Sequence, residues 1–196
     1  MEYIRIKIGF RAIYIGFLGF LFLAVQQANG QQHVNQGLGL GFQINQFQQD
    51  FGFGVQVSSP SFWNEMAVLR FKTNLVFHQH LHQGQYEWSG YQNLTLGLVG
   101  YGGYVTENIR IYGEGGLIGL LPSTKFSNEK FLASGYGSFG TEFFSTPGFH
   151  FFLEIGVAPT RARADLMPGM PFYHNGFYTT MGLRSNLARR KNKLNP

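Results

Sequence analysis

Residues 108–121, NIRIYGEGGLIGLL, decide the fold. Read with a period of two, the odd positions from Ile109 to Leu117 are apolar or glycine, whereas Arg110, Tyr112 and Glu114 occupy even positions. This alternation predicts a β-strand with one apolar face and one charged face. A strand on a soluble core and a strand in a membrane both fit the pattern, so the choice depends on the rest of the chain.

The first 30 residues have the pattern of a cleaved secretory signal peptide. Arg5, Lys7 and Arg11 give a basic start, residues 12–25 carry no charge, and Ala28-Asn29-Gly30 provides small residues before a cleavage point. The uncharged run is shorter than the roughly 20 residues of a membrane-spanning helix. We therefore expect export and a mature chain that begins at Gln31. The sequence has no cysteine, so disulfides are excluded.

The excess of basic residues lies at the two ends of the chain. Of the formal net charge of +5, the signal contributes +2 and the basic tail, residues 188–196, contributes +4, which leaves −1 for the body. The charge therefore does not indicate nucleic-acid binding, and we expect no nucleic-acid partner. The tail is expected in the periplasm, either as a solvated end or in contact with anionic lipid or a periplasmic partner.

The body, residues 31–187, repeats the alternating pattern in eight segments that are separated by turn residues. The predicted strands are residues 37–45, 51–59, 65–80, 90–101, 108–121, 131–144, 149–158 and 176–187. A polar loop through Gln83-Gly84-Gln85 is predicted between the third and fourth strands. The predicted fold class is all-β, an eight-stranded antiparallel up-and-down barrel.

Charge placement favours a transmembrane barrel. Bulky apolar residues share one face of the predicted strands, and this face has too many large side chains to fit inside eight strands. We therefore expect the apolar face to meet lipid and the opposite face to line the lumen. The lumenal face carries an expected ion-pair network of three acidic and four basic residues: Arg70, Lys72, Arg110, Glu114, Glu142, Glu154 and Arg184. With the mature N-terminus in the periplasm, most long connections face outward and most short ones inward.

The last predicted strand partly matches a C-terminal assembly signal, with Thr180, Gly182 and Leu187 at its polar, glycine and final hydrophobic positions. An aromatic residue is usual at the last of these positions. Together with the strand pattern, residues 36–187 resemble the small eight-stranded outer-membrane barrels of Gram-negative bacteria, of the OmpX type and the N-terminal OmpA barrel, grouped with outer-membrane β-barrel domain proteins. The resemblance implies an outer-membrane location, contact with outer-membrane lipid and lipopolysaccharide, and recognition by the barrel-assembly machinery.

His78, His80 and His82 alternate near the outer end of the third predicted strand. An HxH segment can supply two zinc ligands, and His174 or Glu87 could supply a third. A polar rim above the membrane accounts for the same pattern. We predict no metal and no cofactor, and the three histidines are the candidates if a metal is bound.

The sequence indicates no catalytic constellation. No serine follows His174 closely, and Ser134 and Ser138 have no histidine near them in sequence. The apolar segment from Leu166 to Tyr173 either folds over the barrel mouth or forms a surface for a protein partner. The favoured function is a non-enzymatic structural or interaction role through the outer loops. The alternatives are a narrow channel and a lipid-modifying enzyme.

Overall fold

The described residues form a closed barrel of eight antiparallel strands. The computed structural model describes residues 37–82, 85–146 and 149–187; the predicted signal peptide and basic tail lie outside this part of the chain. The strands are β1 Gly39–Phe47, β2 Asp50–Ser58, β3 Ala67–His82, β4 Gln85–Thr106, β5 Ile109–Leu121, β6 Leu132–Thr146, β7 Phe149–Pro159 and β8 Asn175–Asn186. In the same residues, no helix is long and apolar enough to span a bilayer.

Strand pairing closes the ring. Each strand pairs with the next one along the chain, and β8 returns to pair with β1 from Gly39↔Asn186 to Phe47↔Tyr178. Closure matters because an unpaired backbone N–H or C=O group in hydrocarbon costs several kcal/mol, which an open sheet edge could not avoid. The predicted fold class is confirmed.

The barrel exposes apolar side chains on its outside and buries charged side chains inside, the reverse of a soluble protein. Phe71, Leu96 and Ile155 are 44%, 54% and 56% exposed, whereas Glu114 and Arg184 are 4% and 3% exposed. A continuous apolar surface of this kind is unfavourable in water and marks a lipid-facing belt. The belt includes Leu40, Phe42, Phe53, Val55, Leu69, Phe71, Leu96, Leu98, Leu117, Phe139, Leu153 and Ile155.

Seven strands begin and end within two residues of their predicted bounds, but β4 extends five residues further at each end. The predicted long loop between β3 and β4 is therefore wrong, since only residues 83 and 84 connect the two strands. Pairing between β2 and β3 stops at Phe51↔Phe77, and pairing between β4 and β5 stops at Gln92↔Leu121. Beyond these pairs the described residues of β3 and β4 form backbone pairs only with each other, as a hairpin above the barrel wall. The hairpin has no neighbouring strand on either side, so its sequence need not follow the pattern of a wall strand. Its polar composition was therefore read as a loop.

The two ends of the barrel differ. The terminal end, where β1 begins and β8 ends, carries the connections 59–66, 107–108 and 147–148. The loop end carries residues 122–131 and 160–174, which together form a lid over the mouth. Asn128 joins the two lid segments, because its backbone N–H and its side-chain amide donate to Asp165 at 2.9 and 2.8 Å. The Leu166 N–H donates to the Phe126 carbonyl at 3.1 Å.

Neighbouring glycines in β5 provide a matched test of which strand face is packed. A Cβ atom on the outward Gly115 would lie 3.8 Å from the nearest heavy atom, whereas one on the inward Gly116 would overlap the Leu96 carbonyl. Gly115→Ala should therefore raise the free energy of unfolding by about 0.4–1 kcal/mol, because glycine costs extra entropy in a strand.

Gly116→Ala should lower the free energy of unfolding by about 1–3 kcal/mol, since the β4 backbone has no room to move away. Urea unfolding of each variant in lipid vesicles measures both effects. Equal effects of the two substitutions would contradict the assignment of the two faces.

Candidate functional site

The lumen nearest the terminal end holds an ion-pair layer around Glu142. Arg110 donates from Nη2 and Nε to one carboxylate oxygen at 2.6 and 3.0 Å, and Arg184 donates to the other at 2.6 Å. The two guanidinium groups stack on aromatic rings, Arg110 on Tyr101 at 3.6 Å and Arg184 on Phe152 at 3.7 Å. Rings and charges together fill this section of the lumen.

A second layer is built on Glu154. Its carboxylate accepts hydrogen bonds from Lys72 at 2.9 Å, Arg184 at 2.7 Å and the Tyr112 hydroxyl at 2.7 Å. Arg70 lies 3.4 Å from the same carboxylate.

Glu114 completes this layer. Arg70 donates to it at 2.6 Å, Lys72 approaches it at 2.9 Å, and the Tyr136 hydroxyl donates at 2.5 Å. All seven charged residues singled out in the sequence thus lie buried in one connected network. Lys72 and Arg184 each contact two carboxylates, and Arg70 contacts all three, with Glu142 the most distant at 3.9 Å. Such pairing is what permits charges to be buried.

Above the ion pairs lies a layer of neutral amides. Gln43 and Asn45 both donate to Asn74 Oδ1, at 2.5 and 2.7 Å, and Asn74 Nδ2 donates to Asn93 Oδ1 at 2.6 Å. A cavity of about 20 Å³ separates this layer from Lys72 and Tyr136. It has room for about one water molecule. Apart from this cavity, hydrogen-bonded amide side chains fill the lumen at this level.

Asp50 connects the amide layer to the lid. Its carboxylate accepts from His78 Nδ1 at 2.7 Å, from the Tyr91 hydroxyl at 2.6 Å and from the His174 backbone N–H at 2.9 Å. Asp50 falls in the turn between the predicted strands 37–45 and 51–59, so this role could not be seen from the predicted strand bounds. The alternation of β2 contains the signal, because Asp50 continues the inward series of Gly52, Gly54 and Gln56.

His174 is held in its neutral form by the hydrogen bonds around it. Because Tyr91 donates to Asp50, its oxygen accepts from His174 Nδ1 at 2.9 Å. Asn93 Nδ2 then donates to His174 Nε2 at 3.2 Å, and the Asn74–Asn93 bond fixes that amide orientation. Burial lowers the pKa of His174 to about 3, although the nearby Asp50 carboxylate raises it in part. A second proton on the ring would face the amide donor of Asn93.

The histidine series lies under the lid. His78 and His80 are 2% and 6% exposed, so the lid covers this part of the predicted polar rim. Their rings are nearly parallel with centroids 6.1 Å apart, and Phe126 of the lid packs against both at 5.4 and 6.2 Å. The side chain of His82 lies outside the described residues. Among the residues that are described, no group of three His, Cys, Asp or Glu could hold a metal ion.

The apolar segment of the lid is divided between two environments. Met167 and Tyr173 are buried over the mouth, and Tyr173 packs edge-on against Phe126 at 4.9 Å. Leu166, Met170 and Phe172 are 47%, 56% and 48% exposed. Folding over the barrel mouth thus holds for Met167 and Tyr173, whereas the other three side chains stay exposed.

A closed ring of eight antiparallel strands, an apolar outer belt and an enclosed ionic lumen define an outer-membrane β-barrel of the kind found in the Gram-negative envelope. Two solved structures from Pseudomonas aeruginosa share this fold. The N-terminal β-barrel domain of OprF aligns with a TM-score of 0.54 at 10% identity, covering 78% of this chain and 98% of that domain. The outer membrane protein OprG aligns with a TM-score of 0.50 at 10% identity, covering 82% of this chain and all of OprG.

Ail, the attachment invasion locus protein of Yersinia pestis, aligns with a TM-score of 0.41 at 14% identity, covering 76% of this chain and 93% of Ail. No protein-family model and no curated protein matches the chain.

Proposed function

We propose that this protein is a non-conducting, non-enzymatic outer-membrane barrel whose role is structural or depends on contacts at its loop end. In this proposal the terminal end faces the periplasm and the loop end faces outward. The observation that carries the proposal is the packing of the lumen at successive levels: ion pairs, amides and lid.

Packing of the lumen weighs against a channel. Eight strands enclose a space that side chains just fill, and here the filling includes Arg70, Lys72 and three carboxylates joined by bonds of 2.6–3.4 Å. An ion would have to separate these pairs and then pass the amides and the lid. Because the lumen is filled, the outer surfaces of the barrel are left for functional contacts.

The hydrogen bonds also weigh against a lipid-modifying enzyme. Both ring nitrogens of His174 are engaged, by Tyr91 and Asn93. The Ser134 hydroxyl donates to the Pro159 carbonyl at 3.2 Å instead of approaching a histidine. A nucleophile and its base should lie within hydrogen-bond reach.

The loop end offers the surface for contacts. Leu166, Met170 and Phe172 are exposed on the outer side of the lid, and Arg163 stacks on Phe172 at 4.9 Å. Exposed apolar residues rimmed by charge are typical of interaction surfaces. Leu166, Met170 and Phe172 are therefore the side chains through which an outer-loop contact would be made.

Planar bilayer recordings test the sealed lumen. The purified full chain, once inserted, should give no discrete conductance steps, whereas a wide porin recorded in the same bilayers serves as the positive control. Insertion is verified independently by heat-modifiable migration of the recovered protein. Reproducible single-channel steps from inserted protein would overturn the non-conducting assignment.

A further inference from the structure

The lid is attached to the barrel wall mainly by side chains. Backbone hydrogen bonds hold the lid itself together, from the Tyr173 N–H to the Ala162 carbonyl and from the Leu166 N–H to the Phe126 carbonyl, both at 3.1 Å. At the base of the lid, directly before β8, His174 contacts β1, β2 and β4 through Phe47, Asp50, Tyr91 and Asn93. A change at His174 can therefore loosen the lid without disturbing the strand ladders of the wall.

The hydrogen bonds at His174 require a neutral ring. Gln43 and Asn45 both donate to Asn74 Oδ1. The NH2 group of Asn74 then donates to Asn93 Oδ1 at 2.6 Å, and Asn93 presents its own NH2 group to His174 Nε2 at 3.2 Å. A proton on Nε2 would place two donors against each other. A protonated ring therefore does not fit this position.

Among the described residues, the charged group that faces the His174 ring is the Asp50 carboxylate of β2. It already accepts hydrogen bonds from His78 of β3 at 2.7 Å and from the Tyr91 hydroxyl at 2.6 Å. A proton on His78 would pair directly with this carboxylate, so His78 competes with His174 for the negative charge. The other neighbours of the ring are uncharged: Phe47 of β1, Tyr91 and Asn93 of β4, and Tyr173 beside it in the lid.

We propose that acid opens the lid while the barrel wall stays closed, and that protonation of His174 causes the opening. The protonated ring loses the hydrogen bond from Asn93, and Tyr173 next to it then loses its edge-on contact with Tyr91 at 5.2 Å. The buried underside of the lid, including Phe126, becomes accessible. The proposal adds regulation to the loop-end surface, and it rests on the proposed function for its biological role only.

The expected size of the effect follows from proton linkage. Burial lowers the pKa of His174 to about 3 in the closed lid, whereas a released ring has its ordinary value of 6.5. Between these values opening takes up about one proton, so the ratio of open to closed lid rises about tenfold for each pH unit of acidification. From pH 7 to pH 5 the ratio should rise about 25-fold.

Single cysteines can report the opening, because the chain has none of its own. Ser89→Cys places a thiol beneath the lid, since Ser89 is 3% exposed and is the register partner of His78. Thr95→Cys is the matched control deeper in the lumen, where Thr95 is 6% exposed. Neither hydroxyl makes a hydrogen bond that the substitution would remove. Thr124→Cys, on the exposed part of the lid, gives the reference rate.

Each variant of the full chain is folded into phosphatidylcholine vesicles and labelled with dithiodipyridine, which reacts with thiols at acid pH as well. Relative to Thr124→Cys, labelling of Ser89→Cys should rise about 25-fold from pH 7 to pH 5, while Thr95→Cys stays protected. Adding His174→Gln should abolish the rise, because glutamine does not titrate. Adding His80→Gln, which removes another histidine beneath the lid, should retain it.

A Ser89→Cys rate that does not change with pH would overturn the proposal. An equal rise at Thr95→Cys would also overturn it, because the whole barrel would then be opening. A rise that persists in His174→Gln, or one that is lost in His80→Gln, would contradict His174 as the cause. These results would leave the bilayer recordings untouched. Channel activity combined with normal acid opening would instead overturn the proposed function alone.

Discussion

Glu154→Ala should destabilise the folded barrel by about 3–5 kcal/mol, because it removes one partner from a buried ion-pair network. The carboxylate accepts hydrogen bonds from Lys72, Arg184 and Tyr112 and has Arg70 nearby at 3.4 Å. In the variant, Lys72, Arg70 and Arg184 would share two buried carboxylates where three are present in the wild type. Urea unfolding in lipid vesicles, followed by tryptophan emission, measures the change.

Two variants separate lost charge pairing from lost side-chain volume. Glu107→Ala removes an exposed carboxylate from the 107–108 connection and should change stability by less than about 0.5 kcal/mol. Glu154→Leu combined with Lys72→Met replaces an ion pair with apolar side chains and should recover part of the loss. A Glu154→Ala effect no larger than that of Glu107→Ala would contradict the network as a source of stability.

Much of the barrel wall could be predicted from the sequence because its alternation is local. In β7, Phe149 to Val157 alternates with His150, Glu154 and Gly156, and a period of two assigns every side chain to a face once one side chain is assigned. Because the charged residues lie on the face opposite the bulky apolar ones, the sequence predicted that the apolar face meets lipid and not water. The same alternation placed all seven charged residues on the face that lines the lumen.

Features that depend on distant strands could not be predicted in this way. Asp50 and Tyr91 are 41 residues apart, and a local reading assigned Asp50 to a turn. The hairpin above the wall was missed for the opposite reason: β3 and β4 pair only with each other there, so its pattern is less restricted than that of a wall strand. The position of the lid depends on contacts such as Asn128 with Asp165, which join separate loops.

The free energy of unfolding should fall as the pH drops from about 6.5 toward 3, with His174 as one source. Its folded-state pKa, about 3, lies below its ordinary value of 6.5, so the unfolded chain binds a proton that the folded chain does not. The contribution of His174 is therefore fully present above about pH 6.5. Within the window it is lost at about 1.4 kcal/mol per pH unit. Asp50, Tyr91, Asn93 and Phe47 surround the ring.

His174→Gln isolates this contribution, because glutamine keeps a polar side chain but does not titrate. Urea unfolding of wild type and variant at several pH values between 7 and 4 should give two curves that converge as the pH falls. Hydrogen exchange at the His174 amide, which donates to Asp50 at 2.9 Å, should lose protection in wild type over the same window if the lid opens before the barrel. Parallel curves with a constant offset would show that His174 does not bind a proton on unfolding. The hydrogen bonds from Asn74 to Asn93 and from Asn93 to His174 would then not hold the ring neutral.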